Sequence, residues 1–262
     1  MKHIIISALI ALFAVTTAVA QDDIEIDRSN VKTPFFRDVE SYGRLGYNIG
    51  GNAPLPMPAT IRSLNKFSLQ PNLSVGVDVI KPVAKRWGVL VGLHFENKGM
   101  HIDADVKNYH MEIVKDGERL EGVFTGKNNT KATEWMFTLP VQGVFNIKPN
   151  VRLKFGPYFS YLTQRKFEGY AYNGYLRVDD PTGAKIELGD TEDTRGDYDF
   201  NGDMRRFQMG LDLGVDWYFA RRLGVYADLA WGLSGTFPGS FKTLEQTLYP
   251  IYGTIGLTYK IR

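Results

Sequence analysis

The chain has 262 residues, of which 44% are hydrophobic, 13% aromatic and 23% charged, a make-up that suits one folded domain and excludes a disordered polymer. It is too polar for a bundle of membrane helices, and beyond the N-terminus no run approaches the roughly 20 apolar residues that a spanning helix needs. With 31 Lys+Arg against 29 Asp+Glu, the net charge of +2 gives no reason to invoke nucleic acid, and the absence of cysteine excludes a disulfide scaffold, thiol chemistry and Cys-ligated zinc.

Residues 1–20 read as a secretory signal: Lys2, an apolar run from Ile4 to Val15, then Ala18-Val19-Ala20 as a small-residue cleavage site before Gln21. No cysteine follows it, so a lipoprotein is not expected. Residues 21–40 are acidic and irregular and are expected to form a periplasmic N-terminal segment. From 41 to 262 the pattern is that of strands.

The first strand is expected over 42–50, with Leu45, Tyr47 and Ile49 on one face and Arg44 and Asn48 on the other. In NAPLPMPATIRSLNK at 52–66, Pro54, Pro56 and Pro58 forbid a paired strand and predict a loop. A second strand is expected over 67–80, carrying Phe67, Leu69, Leu73, Val75, Val77 and Val79 on its apolar face, with Pro71 as a point of bulging or weakened pairing. A third alternates Trp87, Val89, Val91, Leu93 and Phe95 against Leu90, His94, Glu96 and Lys98. Farther on, Lys115-Asp116-Gly117-Glu118 sits between MEIV and RLEGVF, and Asp-Gly is a preferred hairpin pair, which lets the strands run on past a membrane.

The clearest stretch is 133–163. Every second residue from Trp135 to Phe145 is apolar or glycine, the pattern breaks at Lys148-Pro149-Asn150, and it resumes from Val151 to Tyr161. This period of two predicts two long strands and a tight turn. Between 164 and 205, Asn173-Gly174 and Pro181-Thr182-Gly183 are turn signals around YLRV and KIEL. Strands six and seven are expected at 207–219 and 223–233 about the turn Ala220-Arg221-Arg222, and an eighth at about 251–261.

The face that points outward decides between a soluble barrel and a membrane barrel. The apolar face is nearly free of charge and carries aromatics towards the strand ends, as lipid-facing girdles require. The other face mixes charge with Gly88, Gly92, Gly210, Gly214, Gly224 and Gly232, the small residues a crowded interior needs. The expected fold is therefore all-β: an eight-stranded antiparallel up-and-down transmembrane barrel with extended extracellular loops, both chain ends on the periplasmic side, and strand one paired with strand eight.

At eight strands a lumen is filled by side chains. The expected inward charges are Arg44, Lys98, Arg152, Lys154 and Lys260 against Asp78, Glu96, Glu134, Asp212, Asp216 and Asp228, a mixture that can pair. Three further features carry a functional reading beside a structural one. His94 lies near Glu96 on the inner face, but no serine is marked out as its nucleophile, so no catalytic residue is expected. Asp197, Asp199, Asn201 and Asp203 with Gly202 match the opening of a calcium loop, yet Gln208 stands where a bidentate Glu belongs, and an acidic solvated turn is the expected reading. Phe167, Tyr170, Tyr172 and Tyr175 cluster in the third long loop, either as anchors for a protein or glycan partner or as residues of a strand extension.

With those strands in place, FTLPVQGVFNIKPNVRLKFGPYFSYL at 137–162, the later LDLGVDWYF and LGVYADLAWGL hairpin and the terminal YGTIGLTYKIR resemble the PorT-like outer-membrane β-barrel family, similar in architecture to the small OmpX and OmpA-type barrels. The resemblance implies location in the outer membrane of a Gram-negative cell and insertion by the barrel-assembly machinery. The expected function is a non-enzymatic monomeric anchor with a filled lumen, without cofactor, contacting outer-membrane lipids and holding loops for surface interaction with a protein or glycan. Two other functions are kept beside it: an accessory factor in protein secretion, as the resemblance implies, and a lipid-A-modifying enzyme.

Overall fold

The computed structural model describes residues 38–115, 117–244 and 246–262. The expected signal and nearly all of the expected N-terminal segment lie outside them. Every regular element among the described residues is a strand: β1 (Glu40–Pro54), β2 (Ile61–Ser68), β3 (Leu73–Pro82), β4 (Trp87–Lys115), β5 (Glu118–Lys148) and β6 (Val151–Val178) come first. They are followed by β7 (Lys185–Leu188), β8 (Gly196–Asp199), β9 (Phe207–Tyr218), β10 (Leu223–Gly232) and β11 (Leu248–Lys260).

Eight of these strands close a ring in the order β4, β3, β1, β11, β10, β9, β6, β5, with β5 returning to β4. All of the pairings are antiparallel between neighbours in the chain, except that β1 joins β11 from Tyr42↔Lys260 to Pro54↔Leu248 and shuts the cylinder. The ring is the expected eight-stranded up-and-down barrel. Its short turns include Lys148 to Val151 and Tyr218 to Leu223, on the same end as both termini of the ring. At the opposite end β4, β5 and β6 run on for the length of a second, smaller structure, so the expected extended loops are largely continuous strand.

The face assignment follows the alternation. On β9, Leu211, Leu213 and Val215 are exposed while Gln208 and Asp216 are buried. On β6, Phe155 is 58% exposed and its neighbour Lys154 is 0% exposed. A water-soluble barrel would invert this arrangement, because an exposed apolar band of this extent is stable only against hydrocarbon. Glycines stand on the inner face where large side chains cross: a Cβ at Gly214 would run into the Asp228 carboxylate and the Lys154 stem, and one at Gly76 into the His94 ring.

The structure corrects three local expectations. The strand expected over 67–80 is two strands, since β3 begins only at Leu73 and Phe67 belongs to β2, where it pairs with Ile102 of β4. Pro71 lies in the break, where its missing N–H cannot serve a ladder. The loop expected over 52–66 is confined to 55–60: Asn52, Ala53 and Pro54 finish β1, where Pro54 pairs with Leu248 of β11 at the strand's end, and Ile61 to Lys66 form the rest of β2. Asn173-Gly174 is not a turn but a bulge inside β6, opposite Gly126, with Asn173 at φ 47° and Gly126 at φ 155°. Pro181 to Gly183 does turn the chain from β6 into β7, which pair through Arg177↔Lys185.

Leu213 sits midway along β9 on the lipid-facing side. Replacing it with Lys should cost about 2–4 kcal/mol of stability, read from urea unfolding in lipid vesicles. A change below about 0.5 kcal/mol, the usual size for a solvated surface site, would contradict the lipid contact.

Candidate functional site

Two regions gather polar and aromatic side chains: the lumen and the structure above it. In the lumen the expected charges form three separate groups. At mid-height, Arg44 bonds Asp78 through Nη1 at 2.8 Å and Asp228 through Nη2 at 2.8 Å, with Asp216 at 3.6 Å. Lys154 reaches Asp216 at 2.8 Å and Asp228 at 3.0 Å. Asp78 also receives His94 Nε2 at 2.7 Å, and the Arg44 guanidinium lies 3.6 Å from the centroid of the Tyr226 ring. Each central cation thus touches at least two carboxylates, the arrangement that lets buried charge persist.

Towards the long-strand end, Glu96 accepts Lys98 at 3.0 Å, Thr138 at 2.8 Å and Ser74 at 3.1 Å. Glu134 there accepts Asn52 Nδ2 at 2.9 Å and Gln208 Nε2 at 3.5 Å. Asp212 stands half-buried on the inner face, its Oδ1 without a partner among the described residues. At the short-turn end, Arg152 and Lys260 share Glu40 at 2.9 and 2.6 Å, Tyr42 donates to it at 2.7 Å, and the Arg152 guanidinium lies between the rings of Tyr42 and Tyr218. Sequence reasoning missed Glu40 by leaving it in the lead-in segment. Its place was readable, because Glu40, Tyr42 and Arg44 keep the period of two. The cavity left among Ser74, His94, Glu96, Tyr158 and Asp212 is about 20 Å³, room for about one water.

Above the lumen the inner face changes character. Met100, Val106, Tyr109, Met111 and Ile113 of β4 face Phe124 and Ala132 of β5 and Phe167, Ala171 and Leu176 of β6, all buried in one apolar core. β8 pairs β6 along Gly196–Asp199 and meets β4 at Val114↔Asp197, so the upper strands curl into a smaller closure of their own. Loop aromatics complete it: Phe237 and Phe241 stack at 4.5 Å between centroids, and Phe200 meets both edge-on at 6.3 and 5.3 Å. This packing covers the lumen from above.

The aromatic cluster expected in the third long loop is divided between two faces. Phe167 is a correction: it is 3% exposed, inside the core and 5.1 Å from Phe237. The reason is a bulge at Thr163, where Trp135↔Gln164 is followed by Met136↔Leu162, so that β6 exchanges its faces and Phe167 turns inward opposite Ala132. Tyr170 and Tyr172 therefore point outward, 5.4 Å apart. The Tyr172 hydroxyl donates to Asp103 at 2.7 Å, and partial burial together with that carboxylate raises its phenol above the ordinary range. The second bulge at Asn173-Gly174 returns Tyr175 to the outer face, where Lys185 lies 4.8 Å from its ring centroid.

Tyr170 is brought together with part of the acidic turn. A pocket of about 460 Å³ is lined by Lys131, Glu168, Tyr170, Arg195, Asp197 and Asp199, among others. Arg195 lies 4.3 Å from the Tyr170 ring centroid and donates from Nε to Asp197 at 2.7 Å. In the acidic segment two side-chain oxygens bond the protein itself: Asp199 Oδ1 accepts the Asn201 N–H at 2.8 Å, and Asn201 Oδ1 accepts the Phe167 N–H at 2.6 Å. Asp203 is exposed, and among the described residues no group of three or more acidic, His or Cys side chains gathers to hold a metal.

A closed eight-stranded ring, apolar outside and charged within, is the geometry of a bacterial outer-membrane barrel, and the family model for the outer membrane protein beta-barrel domain matches residues 20–238. The chain belongs to that family. It is located in the outer membrane, and the short turns of such barrels face the periplasm, so the extensions of β4, β5 and β6 are extracellular. A comparison with curated proteins finds no match. Among solved structures the chain is similar to Ail, the attachment invasion locus protein of Yersinia pestis, at 10% identity over 85% of this chain and 97% of that one, with a TM-score of 0.33. It is also similar to CarO2 of Acinetobacter baumannii, at 10% identity over 84% and 98% of the two chains and a TM-score of 0.41.

The central ion group makes a direct prediction for this outer-membrane barrel. Lys154→Met keeps most of the volume but leaves Asp216 and Asp228 to share Arg44 alone, and should cost about 3–5 kcal/mol, the usual result of removing one partner from a buried pair. Urea midpoints in vesicles check it, and wild-type stability would contradict the assigned role of Lys154.

Proposed function

We propose that the protein is a non-enzymatic anchor whose barrel has a filled, non-conducting lumen and whose extracellular strands present a surface to a protein or glycan partner. The observation that carries this reading is the outward row of Tyr170 and Tyr172 beside Arg195, Asp197 and Asp199. Rigid aromatic faces next to charged hydrogen-bonding groups are the side chains that dominate binding surfaces, and here paired strands hold them, at little cost in order on binding.

The lumen supports the rest of the proposal. Its ion groups fill the mid-section, and the aromatic core lies over it. His94 is committed to Asp78, whose other oxygen Arg44 holds, while the Ser74 and Ser160 hydroxyls are bonded to Glu96 and Thr138. That arrangement suits a structural histidine, since a nucleophile would have to lie within reach of the imidazole.

Two measurements test the proposal. A photo-crosslinking side chain placed at Tyr170 should capture a discrete partner on intact cells, and the same side chain at lipid-facing Ile255 should not. Equal capture at both positions, or none at Tyr170, would remove the surface role. Purified protein in planar bilayers should give no stable single-channel steps, and reproducible steps would refute the filled lumen.

A further inference from the structure

Every short turn at the periplasmic end of the ring is basic. Lys85-Arg86 lies between β3 and β4, Lys148 ends β5 before Pro149-Asn150, Arg221-Arg222 lies between β9 and β10, and Arg262 follows β11. All of these side chains are exposed, and the turns that carry them contain no Asp or Glu. Among the described residues none of them forms an ion pair. The acids described at this end are Asp38 and Glu40, and Glu40 is already held inside the mouth by Arg152 and Lys260.

The exposed cations gather at two corners. At the first, the Asn146 N–H donates to the Arg86 carbonyl at 2.8 Å, which sets the Lys85-Arg86 turn beside the strand end that carries Lys148. At the second, the Lys260 N–H donates to the Arg222 carbonyl at 2.7 Å, which sets the Arg221-Arg222 turn beside the chain end that carries Arg262. In ring order the first corner lies at β4 and β5 and the second at β10 and β11, half the ring apart.

A second, independent feature stands next to each corner on the lipid-facing side. Trp87 and Phe145 pair at 4.8 Å between centroids beside the first. Trp217 and Phe219 lie 6.2 Å apart beside the second, where Tyr259 also faces outward on the rung with Leu223. Trp and Tyr at a membrane edge sit at head-group level, so the cations a few residues beyond them stand at the depth of the lipid phosphates. A soluble anion would use the cations alone, whereas an amphiphile uses both features, its acyl chain along the rings and its anionic head on the cations.

We propose that these two corners are binding sites for anionic phospholipids of the periplasmic leaflet, with a net-negative head group of the phosphatidylglycerol kind. Lys and Arg clustered directly beside a membrane-spanning segment attract anionic head groups, and a guanidinium fork matches two phosphate oxygens at once. A zwitterionic head group would bring an ammonium as well, into turns that have no carboxylate to receive it.

The test uses the folded protein in zwitterionic phosphatidylcholine vesicles and compares chain-spin-labelled phosphatidylglycerol with chain-spin-labelled phosphatidylcholine, reading the motionally restricted fraction of each by electron paramagnetic resonance. The anionic probe should associate roughly threefold or more in preference to the zwitterionic one. Molar salt should remove the preference from the wild-type protein, because screening is strong at that ionic strength, and this arm needs no variant to fold. Lys85→Gln, Arg86→Gln, Arg221→Gln and Arg222→Gln combined should bring the two probes to parity, while Lys166→Gln with Arg206→Gln at the extracellular edge should leave the preference as it is. Equal association of both probes with the wild-type protein, a preference that survives salt or the combined turn variant, or its loss in the extracellular-edge variant would each overturn the proposal. Displacement of the anionic probe by millimolar inorganic phosphate would assign the corners to a soluble anion and overturn it as well.

Discussion

The structure depends on one constraint: within hydrocarbon every peptide N–H and C=O must find its partner in the protein. A sheet meets that requirement only by closing, and here the closure is the ladder of β1 with β11, the most distant pair in the sequence. Once the ring is closed, each strand has one face toward acyl chains and one toward a narrow lumen, and the period of two in the sequence is the direct trace of those two environments. Where β4, β5 and β6 leave the membrane the solvent on the outside becomes water, and the same strands reverse their polarity. Their inner face changes from Glu96, Lys98 and Glu134 to Met100, Ala132 and Phe167, and their outer face from Phe95 and Phe137 to Asp103, Asn129 and Tyr172.

The lumen is narrow, and its charged side chains pair with one another. Arg44 and Lys154 are surrounded by Asp78, Asp216 and Asp228, so no central charge lacks an opposite neighbour. Such a core gains specificity more than raw stability, because any slip in register would separate partners drawn from five different strands. The inner glycines belong to the same design, since Gly214 and Gly76 leave the space that Asp228 and His94 occupy.

Much of this was legible from residue types alone. The alternation from Trp135 to Tyr161 marked the adjoining halves of β5 and β6 and their outward face, and Lys115 to Glu118 and Lys148 to Asn150 marked turns. Features that escaped depend on register, which no local pattern carries. The bulge at Thr163 is a single extra residue opposite the Trp135-Met136 step, yet it moves Phe167 from the surface to the core. Asn173-Gly174 has the composition of a hairpin turn, but Gly126 across the ladder lets it lie within a strand as a bulge. β2 hides behind three prolines, and its pairing with β4 is decided by the space that β3 vacates above Leu73. Of the surface candidates, Tyr170 was placed with Asp197 and Asp199 only by β8 folding back onto β6, which brings together residues that the sequence keeps nearly thirty positions apart.

Because the chain contains no cysteine, single cysteines carrying nitroxide labels can be placed one at a time along β9 from Gly210 to Asp216 in folded, lipid-embedded protein. The account predicts that collision with dissolved oxygen alternates with a period of two, high at 211, 213 and 215, while a water-soluble nickel chelate reaches none of those three. A flat profile, or ready access of the chelate to position 213, would contradict the assignment of the apolar face to the bilayer.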